Sequence, residues 1–102
     1  MKKAKFDIGQ IVKHPESGFR GVVVDIDPEF SADEASVDSN VPAGYKSNPW
    51  YHVLLDQNDL QAYVAEQELQ RDTLAEPISH EHVDMFFSGF DKDHYISRRS
   101  IN

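Results

Sequence analysis

The segment Asn48-Pro49-Trp50-Tyr51-His52-Val53-Leu54-Leu55 constrains the fold more than any other part of the chain. It contains the only Trp, beside a Tyr and a His, and it runs directly into aliphatic residues. Trp, Tyr, Val and Leu favour a half-buried strand, which Pro49 can precede but cannot interrupt. The acidic stretch 29–48, with a helical turn expected near 31–34, leads into this strand, and a Gln-Asn-Asp turn follows it. A short strand that follows so long a loop predicts a small barrel with one functional loop.

Further strand patterns occur on both sides of this segment. The run Val22-Val23-Val24 is the centre of the strongest one, which Pro28 ends. Gly21, in the same strand, indicates a bulge or a tight bend. The predicted fold is mainly β, with an entry turn and a first strand over 6–14, strands over 19–27, 50–55 and 61–65, and a helical turn or short closing strand over 66–71.

A different pattern begins at Pro77. Ser79 is suited to cap a helix, and Gly89 is suited to end it. Apolar residues then follow the i, i+3, i+4, i+7 spacing of one helical face, at Val83, Phe86, Phe87 and Phe90. We therefore expect a short C-terminal helix. The chain divides into a barrel domain over 1–76 and a helical segment with its tail over 77–102, which packs on the barrel or on a neighbouring subunit.

Length and composition favour a single cytoplasmic domain. The 102 residues are close to the common domain size. There is no Cys, which excludes disulfides, thiol catalysis and Cys-based zinc sites. No apolar run approaches the roughly 20 residues that cross a bilayer, and the basic N-terminus lacks the apolar core of a signal peptide. We expect no membrane association.

The charge is strongly acidic and unevenly distributed. The net charge is −8, yet residues 1–24 carry five basic and two acidic residues. Proteins that bind nucleic acids usually present a basic surface, because neutralising phosphates supplies most of their affinity. The overall charge therefore counts against DNA binding, although a local patch remains open. The candidate phosphate contacts are Lys5, Lys13 and Arg20.

The sequence contains no motif typical of an enzyme. It lacks a Gly-x-Ser-x-Gly nucleophile elbow and a Gly-rich phosphate loop. His80-Glu81-His82 is too short for the zincin spacing, so solvated histidines near a helix start are the favoured interpretation. Asp25-Ile26-Asp27 resembles the opening of a calcium loop, but Phe30 stands where that loop needs Gly. The prediction is a non-enzymatic protein without cofactor or metal.

Aromatic side chains are the remaining candidates for binding. Trp50 is more often a core residue, but a Trp at a barrel rim can also recognise a partner. His52 alternates with Tyr51 and Val53, so it faces away from them, toward solvent or an interface. The candidate contacts to a partner or a second subunit are Trp50, His52, Phe86, Phe87 and Phe90.

Four blocks of sequence together resemble the heat shock protein HspQ family, also described as YccV-like hemimethylated DNA-binding proteins. They occur in the family's order, and they span residues 6 to 69. The blocks are Phe6-x-Ile8-Gly9-Gln10-x-Val12-x-His14, Gly18-Phe19-x-Gly21-Val22-Val23-Val24-Asp25-Ile26-Asp27-Pro28, Pro49-Trp50-Tyr51-His52-Val53 and Tyr63-Val64-Ala65-Glu66-x-x-Leu69.

The resemblance implies a small SH3-like barrel in a cytoplasmic, non-enzymatic protein that self-associates, with a trimer favoured. One implied role is stress-linked: the protein promotes degradation of certain proteins, including the replication initiator, by an ATP-dependent protease. The alternative is binding to hemimethylated DNA near the replication origin. The acidic balance favours the first role. A weaker third possibility, an enzyme, would require convergent titratable groups in a cleft.

Overall fold

The computed structural model describes residues 4–30 and 44–98, which form two antiparallel sheets and little helix. The first sheet contains β1 to β5 and the second is a hairpin of β6 and β7. Short 3-10 turns cover Tyr45–Ser47 and Glu66–Glu68. The elements are β1 Ile11–Lys13, β2 Arg20–Asp27, β3 Trp50–Leu55, β4 Gln61–Ala65, β5 Gln70–Arg71, α1 Val83–Phe86, β6 Phe87–Asp91 and β7 His94–Ser97.

The larger sheet has the strand order β4-β3-β2-β1-β5. Each neighbouring pair is antiparallel, and β3 with β4 forms the hairpin expected from the turn at 57–59. Both alternatives predicted for 66–71 occur, because a 3-10 turn is followed directly by β5. The mainly β fold is confirmed. Within the described residues, β4 and β5 are the two edges of this sheet.

The C-terminal segment contains less helix than its apolar spacing predicts. Within residues 77–98 only Val83–Phe86 is helical, and the chain becomes extended at Phe87. The turn to β7 has Lys92 in the left-handed region, at φ 61°. Phe87 and Tyr95 are both buried against the larger sheet. The spacing of Phe87 and Phe90 suits a helix, but the hairpin buries Phe87 and Tyr95 together and supplies its own backbone hydrogen bonds.

Strand β2 changes its alternation at a β-bulge. Val23 pairs with Val53, but the next aligned pair is Asp25 with His52, so Val24 is the extra residue. Without this bulge, Asp25 and Asp27 would lie on the same face as buried Val23. The sequence indicated a bulge or bend at Gly21; the register shift lies three residues further on.

The sheet is buried on both faces. One face carries a core built around Val23, Tyr51 and Val53, onto which Phe6 and Leu69 pack. The opposite face carries a second core, which the C-terminal hairpin covers, comprising Ile11, Val22, Val24, Leu54, Ile78, Phe87 and Tyr95. Because both faces of β2 are buried, its apolar residues follow one another without interruption. A strand with one solvated face would alternate apolar and polar residues.

Two glycines are required by close backbone approaches. A Cβ at Gly21 would lie 2.2 Å from the carbonyl oxygen of Leu54, across the β2–β3 pairing. A Cβ at Gly9 would lie 2.2 Å from the carbonyl oxygen of Tyr95, and Gly9 has φ 95°. The Tyr95 amide donates to the Gly9 carbonyl at 2.8 Å, so this contact joins the C-terminal hairpin to the start of β1.

Most of the predicted acidic loop 29–48, including the helical turn expected near 31–34, lies outside the described residues. Its two ends are described. Phe30 donates its amide to the Lys46 carbonyl at 2.9 Å, and Gly44 begins the turn that leads to Pro49. None of the helices in the described parts of the chain is long and apolar enough to cross a membrane.

Candidate functional site

Two carboxylates and an imidazole converge on the side of the larger sheet that bears the C-terminal hairpin. We call Asp25, Asp27 and His52 the Asp–His cluster. The bulge at Val24 places Asp25 opposite His52, and Asp27 follows two residues later on the same face. His52 Nε2 lies 3.2 Å from Asp27 Oδ2. One ligand atom from each of the three side chains lies within 4.8 Å of the other two.

Aromatic side chains form a wall beside the Asp–His cluster. Tyr63, opposite His52 on β4, donates its hydroxyl to Asp27 Oδ2 at 2.7 Å. The ring of Tyr63 stacks on Trp50 with centroids 5.1 Å apart. Phe30 contacts Trp50 edge-on at 5.0 Å. Tyr63 also contacts the ring of His52, with centroids 4.6 Å apart, so the wall borders the Asp–His cluster on the β4 side.

Sequence reasoning considered Asp25-Ile26-Asp27 and His52 separately and did not connect them. The link is the register shift, because regular alternation from Val23 would send both carboxylates to the other face. The one local signal in the sequence is that two Asp residues directly follow the apolar run of this strand. Because carboxylates are not buried in a core without partners, this pattern indicates that the strand changes its alternation after the apolar run.

The second polar centre surrounds Arg20. Its Nε donates to Asp72 at 2.8 Å, one terminal nitrogen donates to Asp56 at 2.9 Å, and the other donates to the carbonyl of Glu76. Burial alone would raise the pKa of Asp72, but hydrogen bonds from Arg20 and from backbone amides outweigh it and hold that pKa below its ordinary value. Arg20 therefore fastens the start of β2 to the segment after β5.

The three predicted phosphate contacts are only partly brought together. Lys13 lies directly opposite Arg20 in the β1–β2 pairing. The guanidinium of Arg20 is already held by two carboxylates, so a phosphate would have to compete with them. Lys5 lies at the N-terminal segment, where its amide donates to Glu66 and to the Tyr51 hydroxyl. The arrangement is an acidic surface with dispersed cations.

The predicted interface residues have different degrees of burial. Trp50 is 3% exposed and Phe87 is 1% exposed, so both belong to the interior of this chain. The indole N–H of Trp50 donates to the Tyr45 carbonyl at 2.8 Å. His52, Phe86 and Phe90 are half-buried. The most exposed large apolar side chains among the described residues lie elsewhere, at Leu60, Leu74, Met85 and Ile96.

An open groove of about 830 Å³ lies between the N-terminal segment, the stretch around β5 and the β6–β7 turn. Its lining combines the cations Lys5 and Arg71 with three carboxylates and His94. Its apolar floor includes Ile11 and Leu69. Because carboxylates offset the cations in this lining, the groove is a mixed polar and apolar surface and not a site for an anion.

The histidines at 80 and 82 are not arranged to bind a metal together. The Nδ1 of His80 accepts the amide hydrogen of His82 at 3.0 Å. Its Nε2 lies 3.1 Å from the Leu60 carbonyl and donates to it. Both ring nitrogens of His80 are therefore engaged by the backbone.

Comparison with known protein families gives one match that covers most of the chain. A family model described as "Hemimethylated DNA-binding protein YccV like" matches residues 4–94. The matched range includes both sheets through the start of β7, the Asp–His cluster and the Arg20 centre.

Proposed function

The chain belongs to the YccV-like hemimethylated DNA-binding family, and from this premise we propose that it acts in the cytoplasm as a non-enzymatic stress-response adaptor. In this role it promotes degradation of certain denatured or regulatory proteins, the replication initiator among them, by an ATP-dependent protease. The basis for this role is the resemblance of residues 6 to 69 to the HspQ family. We further propose that the scaffold is an SH3-like barrel and that the chain self-associates, with a trimer favoured.

The charge distribution carries this proposal. The chain has a net charge of −8, and Arg20, the most central of the candidate phosphate contacts, is paired with Asp56 and Asp72. Binding to DNA derives most of its free energy from cations that replace the counterions of phosphates. Cations that already have carboxylate partners contribute less. An acidic surface is better suited to a protein partner with basic patches.

Exposed apolar side chains on the C-terminal segment give such a partner a contact surface. Met85 is 67% exposed on α1, and Ile96 is 45% exposed on β7. Half-buried Phe86 and Phe90 lie on the same segment. Met adapts its shape to irregular partners, which suits an adaptor that engages several unfolded substrates.

The test is substrate decay in a purified bacterial ATP-dependent protease system with and without this protein. We expect faster decay of selected substrates at unchanged ATP hydrolysis per substrate. The double variant Met85→Ser with Ile96→Ser should lose at least half of the stimulation, whereas Leu60→Ser, also at an exposed apolar residue, should retain it. No change in rate or substrate choice on adding the wild-type protein would refute the adaptor role.

Hemimethylated DNA binding is the second candidate, because it is the property in the family's description. Lys13, which lies opposite Arg20, is the cation on which a local patch would centre. The test compares hemimethylated and fully methylated duplexes over a range of salt concentrations. Preference for the hemimethylated duplex, weakened by Lys13→Gln and by salt, would support this role. Equal binding to both duplexes, or none at low salt, would refute it.

A further inference from the structure

The Asp–His cluster has the composition and spacing of a metal site. Imidazole and carboxylate are the side chains that bind first-row transition ions in proteins. The three groups come from two adjacent strands, and strands hold ligands in fixed positions more firmly than loops do. Their ligand atoms lie within 4.8 Å of one another.

The separation of His52 and Asp27 matches two ligands on one ion. Their Nε2 and Oδ2 atoms are 3.2 Å apart. Two ligands at the usual zinc distances of about 2.0–2.2 Å, arranged tetrahedrally, lie roughly 3.3–3.5 Å apart. An imidazole that binds an ion through Nε2 carries no proton there, so neutral His52 would carry its proton on Nδ1 in the metal-bound chain.

Neighbouring groups are placed to orient these ligands. The side-chain amide of Gln61 lies 3.4 Å from His52 Nδ1, where its oxygen, after an amide flip, would accept the Nδ1 proton. The Tyr63 hydroxyl donates to Asp27 at 2.7 Å. Donating its Nδ1 proton raises the basicity of the His52 imidazole, and the Tyr63 hydroxyl holds the Asp27 carboxylate in a fixed direction. The ring of Tyr63 also covers one side of the site.

We propose that Asp25, Asp27 and His52 bind a divalent transition-metal ion of the Zn²⁺ type. The ion would join the end of β2 to the middle of β3, next to the point where the segment 28–48 leaves the sheet. Two carboxylates balance its charge, and the remaining position is open to water. A nitrogen ligand favours Zn²⁺ over Ca²⁺ and Mg²⁺, which take oxygen ligands. This property is independent of the proposed adaptor role.

Fluorescence of the sole Trp gives a direct readout. Trp50 stacks on Tyr63, whose hydroxyl binds Asp27, so occupancy of the site should alter its emission. When the full chain is titrated with Zn²⁺, the change in emission is expected to saturate at one ion per chain. The same change should occur in the presence of millimolar Mg²⁺. With Zn²⁺ at a hundred times its dissociation constant, the melting temperature should rise by about ten degrees. Co²⁺ absorption bands report the ligand geometry.

Three variants separate this site from surface binding. Asp25→Asn and His52→Gln should each weaken Zn²⁺ binding at least tenfold by isothermal titration calorimetry, which does not depend on the Trp signal. His94→Gln is the matched control, because His94 also lies beside a carboxylate, Asp93, at 3.0 Å. It should bind as the wild type does. Absence of saturable binding to the wild-type chain would overturn the proposal, as would equal loss in His94→Gln or no loss in the two ligand variants.

Discussion

The hydroxyl of Tyr51 lies 2.5 Å from the Glu66 carboxylate, to which it donates, and it accepts the buried amide hydrogen of Phe6 at 3.2 Å. Burial, reinforced by the hydrogen bond to Glu66, raises the pKa of Tyr51 well above its ordinary value. The hydroxyl therefore stays protonated. It joins the N-terminal segment, β3 and the turn after β4 at a single atom.

Tyr51→Phe should lower the free energy of unfolding by about 1–3 kcal/mol, because the buried Phe6 amide loses its acceptor. Urea unfolding followed by Trp50 fluorescence measures the change. Tyr45→Phe removes a hydroxyl from a half-buried ring outside both core clusters and should change stability by less than about 0.5 kcal/mol. Equal effects of the two variants would contradict the structural role of the Tyr51 hydroxyl.

The Arg20 centre should contribute stability that depends on pH. The pKa of Asp72 is lowered in the folded chain, so its contribution is complete above the ordinary Asp pKa of about 4 and is lost as the pH falls through the folded value. Asp72→Asn should therefore destabilise the protein at pH 7, and its difference from wild type in urea unfolding should shrink as the pH falls below about 4. Asp59→Asn, at an exposed side chain in the turn before β4, is the control and should change stability by less than about 0.5 kcal/mol at pH 7. A constant difference at every pH would contradict the assignment.

Gly21 and Gly89 form a matched pair for testing backbone contacts. Gly21→Ala brings a methyl group against the Leu54 carbonyl and the Val53 side chain, and it should cost about 3 kcal/mol. Gly89→Ala meets nothing within 4 Å and should be neutral or stabilising by up to about 1 kcal/mol. Thermal unfolding of the two variants measures the difference. A Gly21→Ala protein as stable as wild type would show that the backbones of β2 and β3 lie farther apart at Gly21 than the contact with Leu54 implies.

Trp50→Ala should lower the free energy of unfolding by roughly 3–5 kcal/mol, because the ring is buried and its N–H is satisfied by Tyr45. Leu74→Ala, at a side chain 78% exposed, should change stability by less than about 0.5 kcal/mol. Since Trp50 is the sole Trp, circular dichroism is the appropriate measurement. A Trp50→Ala protein with normal melting but altered assembly would assign the ring to an interface.

Because the C-terminal hairpin covers one of the two cores, the segment 1–76 should not fold alone. In a fragment ending at residue 76, Val22, Val24 and Leu54 would lose their cover from the C-terminal hairpin. We expect this fragment to be unfolded or aggregated by circular dichroism and sedimentation, while a chain ending at residue 98 stays folded. A soluble, cooperatively melting fragment would instead support 1–76 as an independent domain.

The sequence predicts the larger sheet well because its strands have strong local signals. The β-branched run before Pro28 and the aromatic run after Pro49 match β2 and β3 closely, and β4 matches its predicted bounds. The sequence did not predict the C-terminal hairpin, because Val83, Phe86, Phe87 and Phe90 have the spacing of one helical face. Their burial depends on contacts with β1 to β3, which local spacing does not reveal. The Asp–His cluster was missed for a related reason: its members converge only through the register of β2 against β3.

The extra residue at Val24 keeps charge out of the core around Tyr51 in a strand that is one residue longer than the segment it faces. Removing Val24 would restore regular alternation with Val23 still opposite Val53 and Asp25 still opposite His52, so the second core would lose one side chain but Ile26 and its acidic neighbours would keep their faces. If Val24 stayed and the pairing became regular instead, Ile26 would leave the core that contains Tyr51 and the two carboxylates would enter it. The bulge therefore allows consecutive side chains of β2 to serve both cores while the acidic end of the strand stays outside the first one.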